Sequence, residues 1–381
     1  MIRKNASGHA NGSIGLPSAS RHIAIFIPTL EVGGAERVSV ILANGFAERG
    51  NRVTLLTVQS SGPFRSQVDA GVDIVALGGS GVLTALPALI RWLRQSRPDA
   101  MLSMMSHTNL IAIVARIISR TPFRLVISER ISLAHVVPGL KLRLVRSLMR
   151  KLYGKADHIT TVSKAMADEI SAFTKVDASK ISAIYNPVID KNFIRQMDEI
   201  DHNLHPWFSD PDRTIILAVG RLDPQKGFDT LLGAFAIVAE KNRSASLILL
   251  GEGGHRADLE NLIGELGLED RVALPGFSSN PFPSMKMARV FVLSSLTEGL
   301  PGVLVQAMAC GAFVISTDCP TGPREILEDG KWGALVPVQD AGALANEIVA
   351  SLGEVKGRNA RLRASFFDEK SALDQYLNVL L

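Results

Sequence analysis

The sequence predicts an α/β protein built from two Rossmann-like domains, each a doubly wound parallel sheet, that face each other across a cleft. The chain has 381 residues, too many for one ordinary hydrophobic core. In both halves, short apolar runs rich in β-branched residues alternate with longer helical patterns. Residues 1–190 carry a net charge of +11 and residues 191–381 a net charge of −7, which also favours two separate domains.

The first half contains four predicted strands and three predicted helices. The strands are expected at 22–28, 53–58, 100–105 and 124–128, and the helices at 35–49, 81–96 and 108–119. The turn-rich segment 185–212 then interrupts this alternation. We therefore expect a loose Asn/Gly/Ser-rich tail over 1–20, a first domain over 21–190 and a linker over 191–212.

The second half repeats the pattern. Strands are predicted at 214–220, 246–251, 271–276, 289–294 and 313–317, with helices at 228–241 and 255–267. We expect a second domain over 213–362 and a separate helical segment over 363–381. Because ligands of doubly wound sheets bind at the carboxyl ends of the strands, we expect the functional site between the two domains.

Composition excludes several classes of protein. Two cysteines, Cys310 and Cys319, cannot form a disulfide framework, which fits a reducing compartment. The tail lacks the continuous apolar segment of a secretory signal, and no run of 18 apolar, uncharged residues spans a membrane. We therefore expect a cytoplasmic protein.

Two Gly-containing loops follow predicted strands and precede helices. In PTLEVGGAERV (28–38), Gly33 and Gly34 permit close backbone approach of an anion, although a plain strand–helix turn has the same pattern. In VGRLDPQKGFDTL (219–231), Arg221 and Lys226 stand beside a helix N-terminus. A guanidinium and an ammonium in that place suit a diphosphate, with two solvated loop cations as the alternative.

Two further loops follow strands of the second domain. GEGGHRADL (251–259) lacks the third glycine of a dinucleotide fingerprint but suits a loop near a nucleotide. In EGLPGVLVQAMACG (298–311), Glu298 precedes a helix expected to begin at Pro301 or Gly302, and Gln306 lies on that helix. Eight residues at helical rise separate the two side chains by at most ~12 Å, the span of a nucleotide-sugar.

The second-half motifs VGRLDPQKGFDTL, LILLGEGGHRADLE, LTEGLPGVLVQAMACG and STDCPTGPREIL together resemble the retaining, GT-B-fold glycosyltransferases of group 4. The N-terminal IPTLEVGGAERVSVILANGFAERGNRVTLLT is similar to members that build bacterial polysaccharides, lipopolysaccharides and lipid-linked glycans. The resemblance implies that Arg221 and Lys226 hold the donor diphosphate. It also implies that Glu298 and the amides of Gly299 and Leu300 contact the donor sugar.

Three further expectations come from the same resemblance. The family has a second Glu, which contacts the ribose hydroxyls, at the position of Gln306. His107, in SHTN (106–109), corresponds to a His that often touches the transferred sugar, and Glu129, in VISER (126–130), is expected on the equivalent rim of the cleft. The last helix of the family often crosses back to the first domain, as 366–381 could do here.

A basic segment over 138–158 is the other prominent feature. At helical spacing it forms an amphipathic cationic helix, which suits an anionic membrane surface or an ordinary helix packed on the first sheet. We identify no stacked aromatic residues interleaved with the charges and no recognition motif, so nucleic acid is not an expected partner. The cations are Lys141, Arg143, Arg146, Arg150, Lys151 and Lys155, and the apolar residues are Leu142, Val145, Leu148, Met149 and Leu152.

The resemblance implies a retaining hexosyl- or N-acetylhexosaminyl-transferase. The expected donor is a nucleotide-diphospho-sugar, more often UDP-linked than GDP-linked, and the expected acceptor is a lipid-linked or surface-polysaccharide glycan at the inner face of the cytoplasmic membrane. No Asp-x-Asp pair of the kind used by metal-dependent transferases is identified, so neither a metal nor a cofactor is expected. A nucleotide-sugar isomerase of the same fold and a catalytically silent scaffold, suggested by Gln306, are the alternatives.

Overall fold

The computed structural model describes residues 20–31, 33–133, 140–199, 204–353 and 360–381. Residues 1–19, which make up nearly all of the predicted tail, lie outside them. The described residues form two parallel sheets with helices on both faces, which confirms the predicted fold class.

The first sheet has seven strands in the order β3-β2-β1-β4-β5-β6-β7. They are β1 His22–Ile27, β2 Arg52–Thr57, β3 Val72–Ala76, β4 Ala100–Met104, β5 Arg124–Glu129, β6 His158–Thr161 and β7 Ile181–Ala183.

Helices cover both faces of the first sheet. Every residue of β1 and of β4 is buried, as expected for parallel strands between two helical layers. The two faces have separate hydrophobic clusters, one around Phe26 and Leu89 and the other around Ile25 and Phe46. The helices are α1 Gly34–Glu48, α2 Leu86–Ser96, α3 Ser106–Ser119, α4 Leu140–Leu152 and α5 Lys164–Thr174.

The predicted linker contains a helix that the sequence did not reveal, α6 Lys191–Asp198. Asp190 begins this helix, because its Oδ1 accepts a hydrogen bond from the amide of Phe193 at 2.6 Å. The other carboxylate oxygen of Asp190 accepts from Arg37 of α1 at 3.1 Å. The start of the linker is therefore fastened to the first domain.

The second sheet has six strands in the order β10-β9-β8-β11-β12-β13. They are β8 Thr214–Val219, β9 Ala245–Leu250, β10 Val272–Gly276, β11 Val290–Leu293, β12 Phe313–Thr317 and β13 Ala334–Val336. The helices are α7 Phe228–Lys241, α8 Arg256–Glu265, α9 Phe282–Met287, α10 Gly302–Cys310, α11 Pro323–Ile326, α12 Ala341–Leu352 and α13 Ala360–Ala364.

The last helix, α14 (Glu369–Leu380), packs on the first domain. Tyr376 and Leu380 belong to the hydrophobic cluster around β1. Leu373 lies against α1 at Gly45, where a Cβ atom would come within 2.4 Å of a Leu373 methyl group. A larger residue at position 45 would therefore push the two helices apart.

The two domains also touch directly. The carboxylate of Glu325, on α11, accepts the amide of Lys164 at the start of α5 at 2.9 Å and the hydroxyl of Tyr185 at 2.7 Å. One hydrophobic cluster combines Val162 and Met166 of the first domain with apolar side chains of α10. These contacts hold the carboxyl ends of the two sheets against a common cleft.

The packing of α14 predicts that Leu373→Ala destabilises the first domain. The change removes a buried side chain and leaves a cavity beside Gly45, which costs about 2–5 kcal/mol in the free energy of unfolding. Urea unfolding followed by circular dichroism measures the loss, and amide exchange of α1 shows where it occurs. Asn378→Ala, on the exposed face of the same helix, is the matched control. Equal effects of the two variants would contradict this account of the packing.

Candidate active site

The loop after β11 lies directly against the loop after β5. A Cβ atom on Gly299 would lie 2.8 Å from the carbonyl oxygen of Arg130 and 3.7 Å from a methyl group of Val162. Only a residue without a side chain fits between the two backbones at this distance. The sequence did not single out Arg130, whose side chain donates to Asn186 at 2.7 Å and to Tyr376 at 3.4 Å.

Lys226 and Glu298, which the sequence predicts as parts of one donor site, form an ion pair. Nζ of Lys226 lies 2.7 Å from Oε1 of Glu298, and the side chains are 21% and 11% exposed. Ser295 donates its hydroxyl to the same oxygen at 2.7 Å. Oε2 of Glu298 accepts no hydrogen bond from the described residues, and the ammonium of Lys226 has three donors. Both side chains can therefore bind a ligand without breaking the pair.

The loop that carries Glu298 is held by the loop after β12. Thr321 donates its hydroxyl to the carbonyl of Glu298 at 2.6 Å, and the amide of Glu298 donates to the carbonyl of Pro320 at 3.3 Å. The amides of Gly299 and Leu300 donate to no carbonyl within the described ranges. They are therefore available, just before the N-terminus of α10, for an anionic or hydroxyl oxygen.

Gln306 lies in the second turn of α10 and is half-buried. Its side chain makes no hydrogen bond with any residue in the described part of the chain. The sequence placed it as a partner of the donor ribose, and this assignment stays a prediction.

Arg221 lies on the exposed side of the same site. Its Nε donates to Asp223 at 2.6 Å, and the side chain is 73% exposed, so the terminal nitrogens of the guanidinium are accessible. Two backbone hydrogen bonds join this loop to the loop after β9, and we call the two the clamped loops. The amide of Leu222 donates to the carbonyl of Glu252 at 2.9 Å, and the amide of His255 donates to the carbonyl of Leu222 at 3.0 Å.

A cavity of about 450 Å³ lies at the carboxyl ends of β9 and β10, next to the clamped loops. Its lining includes Leu250, Gly276, Asn280 and the aromatic ring of Phe277, which is 75% exposed. Sequence reasoning missed this cavity. A clue to the cavity was present in the sequence: PGFSSN (275–280) lies at the end of a predicted strand, as do the four loops considered as binding loops.

On the first domain, His107 lies in the first turn of α3 at the carboxyl end of β4. Its side chain is exposed to solvent, but partial desolvation by the surrounding protein lowers the pKa of the imidazole below the usual 6.5. The ring is therefore largely neutral at pH 7 and can both accept and donate a hydrogen bond.

The prediction that Glu129 lies on the rim of the cleft is wrong. Glu129 ends β5 as expected, but it is only 1% exposed. Its carboxylate accepts from the hydroxyl of Ser106 at 2.8 Å, from the amide side chain of Asn109 at 3.0 Å and from the hydroxyl of Tyr153. Burial raises the pKa of Glu129. The side chain is thus part of the interior, beneath the turn that carries His107.

The first glycine loop differs in part from the expectation. A Cβ atom on Gly33 would lie 2.1 Å from a carboxylate oxygen of Glu36, so an acidic side chain of the protein already covers this glycine. A Cβ atom on Gly34 would meet nothing within 4 Å. Contact between this loop and a substrate remains a prediction for Gly34, whereas Gly33 is shielded by Glu36.

The described residues contain no group of three or more His, Cys, Asp or Glu side chains placed to hold a metal ion. One literal Asp-x-Asp sequence exists, at Asp210 and Asp212. Asp210 caps a turn by accepting the amide of Asp212 at 3.0 Å and pairs with Arg213 at 3.2 Å. This pair is therefore part of the turn before β8.

Comparison with known proteins decides the family. The model described as "Glycosyl transferases group 1" matches residues 200–361, and the model described as "Glycosyltransferase Family 4" matches residues 32–191. An N-acetylgalactosamine-N,N'-diacetylbacillosaminyl-diphospho-undecaprenol 4-alpha-N-acetylgalactosaminyltransferase of Campylobacter jejuni is 31% identical over 290 residues, which is 74% of this chain and 76% of that protein. The chain belongs to the group 1 and group 4 glycosyltransferases.

Further relatives and solved structures support the same family and fold. The glycosyltransferase is 28% identical to the amylovoran biosynthesis glycosyltransferase AmsD of Erwinia amylovora, over 84% of this chain and 87% of that protein. The crystal structure of Anabaena Alr3699/HepE in complex with UDP and glucose matches with a TM-score of 0.77 at 21% identity, over 94% and 99% of the two chains. That likeness establishes the GT-B fold.

The basic helix α4 of the glycosyltransferase packs most of its described apolar side chains against the first sheet. Met149 is 1% exposed, and Val145, Leu148 and Leu152 pack against the same core. The side chains of Lys141 and Leu142 lie outside the described residues. None of the helices in the described ranges is long and apolar enough to cross a bilayer. The sequence left open a membrane-surface helix or an ordinary helix packed on the first sheet, and four of these apolar side chains pack against the core.

The described cations of α4 line a surface with α5 and the turn after it. Two shallow cavities of about 400 and 390 Å³ lie along this surface. Arg150 stacks on Phe173, with its guanidinium carbon 4.5 Å from the ring centroid. We call this the basic surface: Arg143, Arg146, Arg150, Lys151, Lys155, Lys175 and Lys180.

The clamped loops predict opposite outcomes for two neighbouring glycines. A Cβ atom on Gly253 would lie 2.1 Å from the carbonyl oxygen of Leu222, whereas one on Gly254 would meet nothing within 4 Å. We expect Gly253→Ala to displace the loop that carries Arg221 and to lower the melting temperature of the protein, because the new methyl group cannot fit beside the carbonyl of Leu222. Gly254→Ala should leave the melting temperature unchanged. Thermal unfolding followed by circular dichroism measures both, and equal melting temperatures of the two variants would contradict the close approach of the two loops.

Proposed function

We propose that this glycosyltransferase moves a sugar from a UDP-linked donor to a lipid-linked or surface-polysaccharide glycan, with retention of the anomeric configuration. The relatives support the acceptor class: one is named as acting on a diphospho-undecaprenol-linked glycan and another as serving amylovoran biosynthesis. The structural neighbour HepE is described in complex with UDP-glucose, which supports the donor class.

The observation that carries the proposal is the Lys226–Glu298 ion pair at 2.7 Å, beside two available backbone amides. A phosphate oxygen of the donor can bind the remaining protons of Lys226, and a sugar hydroxyl can donate to Oε2 of Glu298. Arg221 can extend to the same diphosphate because its guanidinium is exposed. One compact site can thus bind both the sugar and the diphosphate, which lie on the two sides of the bond that breaks.

Chemistry at this site stabilises the departing diphosphate. As the bond from the anomeric carbon to the phosphate oxygen breaks, negative charge grows on that oxygen. Lys226, Arg221 and the amides before α10 are placed in advance to bind that charge, which lowers the barrier. The acceptor hydroxyl attacks from the face that the diphosphate leaves and passes its proton to the departing phosphate, so no separate protein base is required.

Two side chains complete the donor site in this proposal. His107 contacts the transferred sugar, and its lowered pKa suits a neutral hydrogen-bonding group. Gln306 contacts the ribose, where its amide can accept from one hydroxyl and donate to the other. The cavity of about 450 Å³ beside Phe277 takes the base, since it adjoins the diphosphate loops.

The basic surface, in this proposal, holds the enzyme on an anionic membrane at the inner face, where a lipid-linked acceptor is found. Most of the described apolar side chains of α4 are already packed in the protein. Leu144 is 62% exposed and Ile131 is 56% exposed, so some apolar contact remains available. Attraction between cations and anionic headgroups is therefore the main source of binding.

The named relatives are transferases, which favours transfer over both alternatives considered from the sequence. An isomerase of the same fold would need no glycan acceptor, and a silent scaffold would need no intact donor site. The accessible Oε2 of Glu298 and the pre-positioned Lys226 have no use in a silent scaffold. Metal independence belongs to the proposal, and activity that persists in EDTA would support it.

Donor hydrolysis provides the test. With UDP-glucose, UDP-galactose, UDP-N-acetylglucosamine and UDP-N-acetylgalactosamine as the panel, we expect slow release of UDP from one donor without acceptor. Lys226→Ala removes the cation at the leaving phosphate and should lower the rate by about 100-fold or more. Glu298→Gln should lower it less, because the amide oxygen still accepts a hydrogen bond.

Gln306→Glu separates a working variant from a defective one. We expect a shift of less than about tenfold in the KM for the donor, with kcat nearly unchanged, because a charge-assisted bond to the ribose acts equally in the ground and transition states. If wild-type protein is inactive and Gln306→Glu is active, the silent scaffold is favoured. If neither protein binds any donor of the panel, the proposed transfer reaction is wrong.

Vesicle flotation tests the basic surface. At low salt, the protein should bind vesicles containing phosphatidylglycerol and should be released as salt rises, because the attraction is electrostatic. Arg143→Glu with Lys151→Glu should weaken binding by at least about tenfold. Lys241→Glu with Arg243→Glu changes the same charge on an exposed part of the second domain and is the matched control. Equal binding by both double variants would contradict a role for the basic surface.

A further inference from the structure

Glu129 has a buried carboxylate that the donor site does not use directly. Its two oxygens accept three hydrogen bonds, from Ser106, Asn109 and Tyr153. Three donors around one carboxylate favour its ionised form, whereas burial favours the neutral form and raises its pKa. Burying a carboxylate costs free energy, so a buried carboxylate with three hydrogen bonds is expected to have a structural or functional role.

Two of the three donors flank His107. Ser106 precedes it and Asn109 follows two residues later, so the carboxylate of Glu129 holds the first turn of α3 on both sides of the imidazole. The side chain of Asn109 also donates to the carbonyl of Ser128 at 2.9 Å. The turn is therefore fixed to the end of β5 at several points.

The backbone before this turn is strained. Met105 has φ 88° and ψ 142°, a conformation that a non-glycine residue adopts only when its surroundings impose it. Its amide donates to the carbonyl of Ser128 at 3.1 Å, and its carbonyl accepts the amide of Asn109 at 2.9 Å. The hydrogen bonds to Glu129 are additional ties that keep the strained turn in place.

We propose that Glu129 is a positioning residue for His107: its carboxylate fixes the first turn of α3 and thereby the place of the imidazole in the cleft. It acts through its hydrogen bonds to Ser106 and Asn109, which lie on either side of His107 in the chain. The inference rests on the proposed function, in which His107 contacts the transferred sugar.

The third donor ties this turn to the basic helix. Tyr153 directly follows α4, is fully buried, and donates its hydroxyl to the same oxygen that accepts from Asn109. The end of α4 and the start of α3 therefore share one carboxylate.

Glu129→Gln tests the positioning role with little change in volume. The amide nitrogen cannot accept a hydrogen bond, so the contact with Ser106 or the contacts with Asn109 and Tyr153 must be lost. With the panel donor that wild-type protein hydrolyses, kcat should fall by about 10- to 100-fold. The KM for the donor should change by less than about threefold. An unchanged kcat would overturn the proposal.

A double-mutant cycle shows whether the effect passes through His107. In the His107→Ala background, Glu129→Gln should lower kcat by less than about threefold, since the side chain that it positions is gone. The same loss in both backgrounds would overturn the proposal. Ser106→Ala removes one donor to Glu129 near the surface and leaves the interior intact. It should lower kcat less than Glu129→Gln does, and it replaces that variant if Glu129→Gln folds poorly.

Amide exchange tests the proposal without any turnover. In Glu129→Gln, the hydrogen-bonded amides of Met105 and Asn109 should exchange about tenfold or more faster, while those of β1 keep their protection. Unchanged exchange of these two amides would overturn the positioning role, whatever the activity. If wild-type protein hydrolyses no donor of the panel, the proposed function fails and the exchange result still decides the role of Glu129.

His158→Gln is the matched control for both measurements. His158 begins β6 at the opposite end of the same sheet, and its ring is paired with the hydroxyl of Ser182 at 2.6 Å. The change removes the half-buried hydrogen bond between His158 and Ser182, which lies in the first domain at the end of the strands away from the cleft. It should alter neither kcat nor the exchange of the Met105 and Asn109 amides, and a comparable effect would mark the result as a general loss of stability.

Discussion

The chain passes between the two domains twice, and the two crossings are hydrogen-bonded to each other. The amides of Val188 and Ile189 both donate to the carbonyl of Phe367, at 2.9 and 3.1 Å, and the amide of Glu369 donates to the carbonyl of Ile189 at 3.1 Å. This short ladder joins the start of α6 to the start of α14. Because α14 is anchored in the core of the first domain, this ladder fastens the second crossing of the chain, as well as the first, to that domain beside the cleft.

In the proposed reaction, the cleft places prepared groups on both sides of the bond that breaks. On one side, Ser295 and the loop after β12 hold Glu298 against Lys226, so binding of a donor requires little rearrangement. On the other side, Glu129 holds the turn of His107 from within the interior. Glu325 adds a direct tie between the domains at the start of α5. Catalysis by positioned charge depends on such preorganisation, because each group that must reorient during the reaction reduces the gain.

The sequence predicted the elements that combine apolar runs with Gly-rich loops, and it missed others for physical reasons. β3 is an edge strand with a partly exposed, mixed sequence, VDIVA, so its pattern is weak. The adjacency of Lys226 and Glu298 was predictable because each follows a strand of one sheet. The burial of Glu129 was not, since nothing at position 129 shows that Tyr153, 24 residues later, folds over it. The apolar face of α4 was equally ambiguous, because a core and a membrane demand the same spacing.

Gln306 illustrates how one position tunes a site whose other charges are fixed. A nucleotide diphosphate brings negative charge next to Glu298, which Lys226 already neutralises in part at 2.7 Å. A second carboxylate at 306 would bind the ribose more strongly through charge-assisted hydrogen bonds, but it would add negative charge near the phosphates. The amide of Gln306 lacks the stronger ribose binding, but it adds no negative charge near the phosphates. In the proposed reaction, neither effect differs much between the bound donor and the transition state, so the substitution would change how tightly the donor is held and would leave the chemical step to Lys226, Arg221 and the amides before α10.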